Sequence, residues 1–227
     1  MKLGRKNRPT IPYYYIRGHT KKIDISKEIE TFSYCARSII SEKRTMLHFD
    51  RLYTLFQVMA SVPTGSTSLE VGVYKGGTLK FLSKIIDGRD VHLIGIDTFE
   101  GHVDSLPKDV VHKNSLQFVD ASFEDVKQYL SDFPNTVIVK SRVQDLDFSL
   151  IQKLGFIHLD TDLYSPTLWV LDNLSSKLVK GGVIVIDDYG HKTTPGVLDA
   201  VKEFLARSGQ NFFFLHLITG QGVLVRL

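Results

Sequence analysis

Five short runs of near-continuous Val, Ile and Leu, spaced by stretches with helical periodicity, constrain this chain more than any other feature. They are TSLEVGV (67–73), VHLIGID (91–97), NTVIVK (135–140), GFIHLD (155–160) and GVIVID (182–187). A strand with one wet face alternates apolar and polar residues; a run without alternation is covered on both faces, as in a parallel sheet between two helical layers. The segment SPTLWVLDNLSSKLVKGG reads as a helix, with Ser165 as cap and Pro166 at the first helical position. Leu168, Leu171, Leu174 and Leu178 lie along one face, Lys177 and Lys180 sit near the end, and Gly181 stops it. TPGVLDAVKEFLARSG repeats that grammar from Thr194 and Pro195 to Gly209. Two last runs, NFFFLHL (211–217) and GVLVRL (222–227), are joined by the short ITGQ, which predicts a hairpin. The order predicts a doubly wound, Rossmann-like α/β fold: a seven-stranded, mostly parallel sheet ending in an antiparallel hairpin. Upstream, FDRLYTLFQVMA places Phe49, Leu52, Phe56 and Met59 on one helical face, and a more polar helix is expected over 24–42. The expected division is an N-terminal arm and helical cap over 1–45, then the α/β domain over 46–227.

The 227 residues suffice for one large domain with a sizeable core. A single cysteine, Cys35, excludes an internal disulfide and fits a reducing compartment. No apolar run approaches the ~18 residues a membrane span needs. The basic N-terminus has no apolar segment behind it, so no secretory signal is read and a cytoplasmic location is expected. Net charge is +3, but residues 1–22 hold seven Lys/Arg and no acid, which leaves the remaining chain at −4. The stretch RPTIPYYYIRGHTKK could contact nucleic acid or anionic lipid. Local packing on the body or on a second subunit is the simpler reading. Nucleic acid is therefore an unlikely partner and a homodimer the expected state.

In an open α/β sheet, ligands bind outside the carboxyl ends of the strands, near the point where strand order reverses. LEVGVYKGGTLKFL occupies that place. Gly72, Gly76 and Gly77 let the turn after the first strand approach a ligand closely, although glycines at such turns can be merely structural. Their spacing, G-x-x-x-G-G, is not the dinucleotide fingerprint, and Glu70 stands within the strand itself. A pyrophosphate would not favour that carboxylate, whereas a ligand with an ammonium group would. The second strand ends GIDTFEG, and Asp97, about 25 residues past the first strand, suits hydrogen bonds to a ribose diol. Thr98 and Phe99 stand beside it to shape an adenine pocket; the alternative is an aspartate that caps its own loop. Taken together, Glu70, the glycines and Asp97 describe an adenosine ligand with an amino-acid tail and no phosphates, S-adenosylmethionine.

Two apolar runs then deliver carboxylates at their C-terminal ends: IHLDTDLYSPT with Asp160 and Asp162, and GGVIVIDDYGH with Asp187 and Asp188. With RLYTLFQ, LEVGVYKGGT and GIDTFEG, these motifs resemble in order and spacing the macrocin O-methyltransferase family, over roughly residues 46 to 206. The resemblance implies a class I methyltransferase domain that uses S-adenosyl-L-methionine and a divalent metal to methylate a sugar hydroxyl. The implied cofactor contacts are Glu70, Gly72, Tyr74, Gly76, Thr78, Asp97, Thr98 and Asp160, and the implied metal ligands are Asp160, Asp187 and Asp188. Neighbouring strands would bring those three carboxylates together, and an all-oxygen set suits Mg²⁺. Asp187 and Asp188 can share one ion only if the strand has already ended, because successive strand residues point to opposite faces. Asp160, His191 and Asp162 are the contenders for the group that removes the hydroxyl proton.

The implied acceptor is a small molecule or glycan, carried as a glycoside, nucleotide sugar or polysaccharide. Three other readings are weighed beside it. A catechol or phenol O-methyltransferase would share fold, metal and cofactor. An RNA methyltransferase could use the basic arm but seldom needs a three-aspartate site. A cofactor-binding subunit without catalysis is at odds with the intact aspartates.

Overall fold

The computed structural model describes residues 26–103, 105–109 and 118–227; the basic arm over 1–22 lies outside them. Two helices come first, α1 (Ser26–Ser41) and α2 (Phe49–Ala60). There follow β1 (Ser66–Val71), α3 (Gly77–Ile86), β2 (Val91–Asp97), α4 (Phe123–Tyr129), β3 (Thr136–Lys140) and β4 (Leu154–Leu159). The chain continues through α5 (Tyr164–Leu174), β5 (Leu178–Ile186), α6 (Pro195–Ser208), β6 (Phe212–His216) and β7 (Gly222–Arg226). All seven strands form one sheet in the order β3-β2-β1-β4-β5-β7-β6. β1 to β5 run parallel, and β7 is antiparallel to both β5 and β6. This is the doubly wound sheet that the sequence pattern predicts. The hairpin is turned so that its second strand lies against β5. Strand order reverses between β1 and β4, so a crevice opens outside their C-terminal ends.

The strands are apolar throughout because both faces are covered. On one face, α1 to α4 bury Phe32, Leu52, Met59, Phe81 and Val126 with Phe156 and Val185 of the sheet. On the other, α5 and α6 bury Val170, Leu171, Val201 and Phe204 with Leu69, Ile157 and Ile184. Adjacent residues of β4, Phe156 and Ile157, thus serve opposite layers. Phe32 of α1 is fully buried, with ring centroids of Phe49, Tyr53 and Phe56 at 4.5, 4.9 and 5.4 Å. It joins α1 to the core that covers the sheet. Among the described residues no helix is long and apolar enough to cross a membrane.

The helix read from Ser165 to Gly181 is shorter than its periodicity suggests and starts earlier. α5 begins at Tyr164, with Leu163 as N-cap and no side-chain capping bond of its own. Pro166 still falls in the first turn, where its missing N–H has no helical partner to lose. The cap comes from elsewhere: buried Asp109 accepts the Tyr164 N–H on Oδ1 and the Leu106 N–H on Oδ2, each at 2.9 Å. At the other end α5 stops at Leu174, a 3₁₀ turn spans Ser175–Lys177, and Leu178 opens β5 instead of extending the helix. Leu178 pairs with Leu154 of β4, and the register slips before Phe156 meets Val183. Gly181, at φ +76°, lies within that irregularity. Pairing with β4 outweighs the helical pattern, and the extra residues become a bulge.

Because α1 shares the central core, Phe32→Ala should lower the unfolding free energy by about 3–5 kcal/mol. Tyr34→Ala, two residues along the same helix and 78% exposed, should change it by about 0.5 kcal/mol or less. Urea denaturation followed by circular dichroism measures both.

Candidate active site

Hydrogen bonding between the strands runs on one residue past their ends. The Asp160 N–H donates to the Val71 carbonyl at 2.9 Å and the Asp187 N–H to the Leu159 carbonyl at 3.0 Å. Asp160 and Asp187 are thereby set side by side with Gly72 along the C-terminal edge. At Gly72, with φ +94°, a Cβ would lie 1.8 Å from the Asp160 carbonyl oxygen, so no other residue fits. β5 has ended at Ile186, which frees Asp187 and Asp188 from strand alternation, and both line one cavity. One carboxylate oxygen from each of Asp160, Asp187 and Asp188 lies within 4.8 Å of the other two.

Three acids so placed disturb one another. Burial, with Asp187 and Asp188 adding to it, raises Asp160 well above the usual carboxylate range. Burial, Asp162 and Asp187 push Asp188 up to about 8. The nearest cation is Arg51 of α2, which donates through Nη1 to Asp187 Oδ2 and, at 3.5 Å, to Asp188 Oδ1. Its Nε donates to the Thr219 carbonyl at 3.2 Å. Burial opposes the guanidinium charge, but Asp187 and Asp188 hold its pKa above the ordinary value. Gln221 donates to Asp187 Oδ1 at 2.8 Å, so that carboxylate is gripped from two sides. Asp162, at φ +59°, joins the cluster and has its Oδ2 3.2 Å from His102 Nε2.

From the acid cluster the cavity runs along the ends of β1, β2 and β3, past Gly72, Val73, Tyr74, Asp97 and Thr98 to the 141–144 segment. Asp97 organises this end. Its Oδ2 accepts the N–H groups of Val73 and Tyr74 at 2.7 and 2.8 Å, and its Oδ1 that of Phe99 at 2.7 Å. A carboxylate offers roughly four lone-pair sites, so about one is left for a ligand hydroxyl. Thr78 at the start of α3 shares a 2.7 Å hydroxyl contact with Thr45, which draws the 44–47 segment over the cavity as a wall. Tyr74, Phe118 and Asp162 line the cavity with φ of 50°, 64° and 59°. Left-handed backbone is uncommon outside glycine and concentrates at functional sites.

Nine of the residues nominated from sequence meet in this one cavity: Gly72, Tyr74, Thr78, Asp97, Thr98, Asp160, Asp162, Asp187 and Asp188. Three do not. Glu70, expected to meet an ammonium group, points to the α1–α4 side of β1, where it is fully buried with Oε1 2.8 Å from His158 Nδ1. Burial raises its pKa, against the pull of His158. Gly76 is the N-cap of α3 and packs beneath Val126, away from the cavity. His191 is exposed, its Nδ1 2.5 Å from Thr193 Oγ1. Phe99, expected at an adenine, turns into the core against Phe123, at a centroid distance of 5.5 Å. Arg51 and His102 line the cavity and were not singled out. Arg51 is one of several polar residues in FDRLYTLFQVMA, beside Asp50, Thr54 and Gln57, and His102 directly follows GIDTFEG.

Comparison with known proteins agrees with this geometry. Residues 30–212 match the family described as Macrocin-O-methyltransferase (TylF). The chain is 29% identical over 185 residues to a demethyldecarbamoylnovobiocin O-methyltransferase of Streptomyces niveus, across 72% of this chain and 68% of that one. It is also 29% identical over 189 residues to 8-demethyl-8-(2,3-dimethoxy-alpha-L-rhamnosyl)-tetracenomycin-C 4'-O-methyltransferase of Streptomyces olivaceus, across 74% and 70%. Its fold superposes on the solved O-methyltransferase NovP with a TM-score of 0.68 at 24% identity, covering 81% of this chain and 82% of that one. The calicheamicin methyltransferase CalS11 follows at a TM-score of 0.60 and 18% identity, covering 88% and 92%. A methyltransferase sheet order, a cavity at the strand ends and a match over most of the length lead to one conclusion: this chain is an O-methyltransferase that belongs to the macrocin O-methyltransferase family.

Proposed function

We propose that the protein methylates a sugar hydroxyl of a glycoside, nucleotide sugar or polysaccharide, using S-adenosyl-L-methionine and Mg²⁺. The reading rests on one observation above all: three carboxylates within 4.8 Å of one another at one end of a cavity. Their all-oxygen chemistry, their burial and the raised pKa values of Asp160 and Asp188 fit a hard divalent cation, which would relieve the repulsion. A rhamnosyl-tetracenomycin 4'-O-methyltransferase among the relatives supports a glycosyl acceptor.

When bound, the two cofactors would supply an electrophilic methyl group and a Lewis acid that lowers the pKa of the acceptor hydroxyl. Everything else falls to the chain. Gly72, Tyr74, Thr78, Asp97, Thr98 and Asp160 are assigned to hold the methyl donor, and Asp160, Asp187 and Asp188 to hold the ion. Asp97 uses its remaining lone pair on a ribose hydroxyl. Asp162 is the group assigned to take the acceptor proton, because it lines the cavity beside Asp188 whereas His191 lies outside it. Leu47 and Val103 contribute apolar wall that limits water at the reacting atoms.

Turnover on a glycosyl acceptor should stop in EDTA and return with Mg²⁺. Asp187→Ala or Asp188→Ala should lower turnover by at least about 100-fold, the upper end of what losing even an outer partner of a metal site costs. Asparagine at either place should be milder, since it keeps an oxygen. Undiminished turnover in EDTA would make the aspartates structural and end the metal reading. At the other end of the cavity, Asp97→Ala should weaken S-adenosylmethionine binding by about 10- to 100-fold, as loss of a charge-assisted hydrogen bond implies. Calorimetric titration measures this directly, and unchanged affinity would remove Asp97 from the cofactor site.

A further inference from the structure

Beside the acid cluster the cavity wall includes two segments that lie outside every strand. Gly101 and Val103, after β2, belong to one; Leu163 and Pro166, at the start of α5, belong to the other. The near end of the first is pinned at Gly101, whose carbonyl accepts the Thr98 hydroxyl at 3.2 Å and the Val103 N–H at 3.0 Å. Farther along, Asp109 holds it. This residue is 1% exposed, and its carboxylate is shared between the two segments. Oδ2 accepts the Leu106 N–H, three residues past Val103, and Oδ1 accepts the Tyr164 N–H, between Leu163 and Pro166, each at 2.9 Å. The Asp109 N–H returns to the Leu106 carbonyl at 2.8 Å and closes the turn. One buried carboxylate therefore ties the wall after β2 to the wall after β4.

α6 completes the seat. At Gly196, in its first turn, a Cβ would lie 2.0 Å from Asp109 Oδ1 and 3.0 Å from Tyr164 Cβ. Glycine is a poor helix former; here it makes room for the carboxylate. A cap for α5 alone would not call for this arrangement, since a serine or threonine at the N-cap would serve and burying an acid is costly. What an acid with two accepting oxygens adds is the link. We propose that Asp109 is a positioning residue for the acceptor: it locks the two wall segments together and so sets the shape of the cavity beside the acid cluster. The inference rests on the reading that the acceptor lies at that end. The methyl-donor end is braced separately, by Asp97 on the turns after β1 and β2, so unlocking the wall disturbs the acceptor and spares the cofactor.

Kinetics, calorimetry and hydrogen–deuterium exchange on the full chain test it together. Asp109→Asn keeps the shape but sets an amide donor against one of the two N–H groups, so one bond is lost. It should raise KM for an aryl rhamnoside acceptor about 10- to 100-fold, the range for a lost hydrogen bond to a charged group. The Kd for S-adenosylmethionine should stay unchanged. Gly196→Ala crowds the same seat from α6 and should have the same effect, although alanine is otherwise the better helix residue. Lys108→Ala, which removes an amine 3.8 Å from the centre of the Tyr164 ring, should leave KM as it was. In both seat variants the amides of 105–109 and 163–165 should exchange faster. A parallel loss of cofactor affinity, or an unchanged KM despite faster exchange, would make Asp109 a structural cap and overturn the proposal. Unchanged exchange would reject the lock itself. If the unaltered protein turns over no glycosyl acceptor, the functional reading fails, and exchange still decides the lock: faster exchange upholds it and unchanged exchange rejects it.

Discussion

Parallel pairing of β4 with β5 forces the carboxylates of Asp160 and Asp187 to stand together, and the rest of the site answers that repulsion. Two like charges about 4 Å apart cost about 4 kcal/mol at an effective dielectric of 20. The register cannot relax to avoid this. Leu159 pairs with Ile186 within a sheet buried on both faces, and the next rung carries the two acids. Shifting β5 by one residue would turn Ile184 and Ile186 out of one apolar layer and into the other. Compensation therefore comes from outside the sheet. Arg51 reaches in from α2, Gln221 from the turn before β7, and His102 from the segment after β2. Helix α2 and the C-terminal hairpin are in this sense parts of the acid cluster, because each donates to it.

How far the sequence foretold this depends on the range of the interaction. The five buried strands were legible because coverage on both faces leaves a local mark, an unbroken run of β-branched and aliphatic residues. The acids at the ends of β4 and β5 were legible for the same reason, as polar residues abutting such runs. The condition that β5 must end before Asp187 is met at Ile186. Arg51 was not legible. Its partner lies 136 residues away, and nothing near RLYTLFQ signals it. Glu70 misled because its strand position matches a ligand contact, whereas its partner, His158, is supplied by the adjacent strand across the register. Leu178 misled differently: helical spacing continues through it, and only pairing with Leu154 makes it a strand residue. The membership of the cluster is local information, and its neutralisation is not.

Strain is distributed in the same pattern. Left-handed backbone at Tyr74, Phe99, Phe118 and Asp162 lies on the turns after β1, β2 and β4 and on the segment before α4. Each such residue costs roughly 1–2 kcal/mol. Asp97 offsets part of that at the first two turns by accepting three backbone N–H groups. Its carboxylate is as much a brace for the loops as a candidate ligand contact.

Where Gly72 touches the Asp160 carbonyl, the turn after β1 and the turn after β4 become one solid piece. The separation between the proposed methyl-donor pocket and the acid cluster is then set by the sheet, like two marks on one ruler, and no loop movement adjusts it. Diversity in what such an enzyme methylates has to arise in the enclosure, in the 44–47 segment and around Val103, which wall the cavity without belonging to the ladder. The relatives from Streptomyces niveus and Streptomyces olivaceus bear names with different acceptors. A scaffold of this kind accommodates such variety as a lathe accommodates different chucks. Exchange of the wall segments between family members would move selectivity from one to another and leave the machinery beneath as it was.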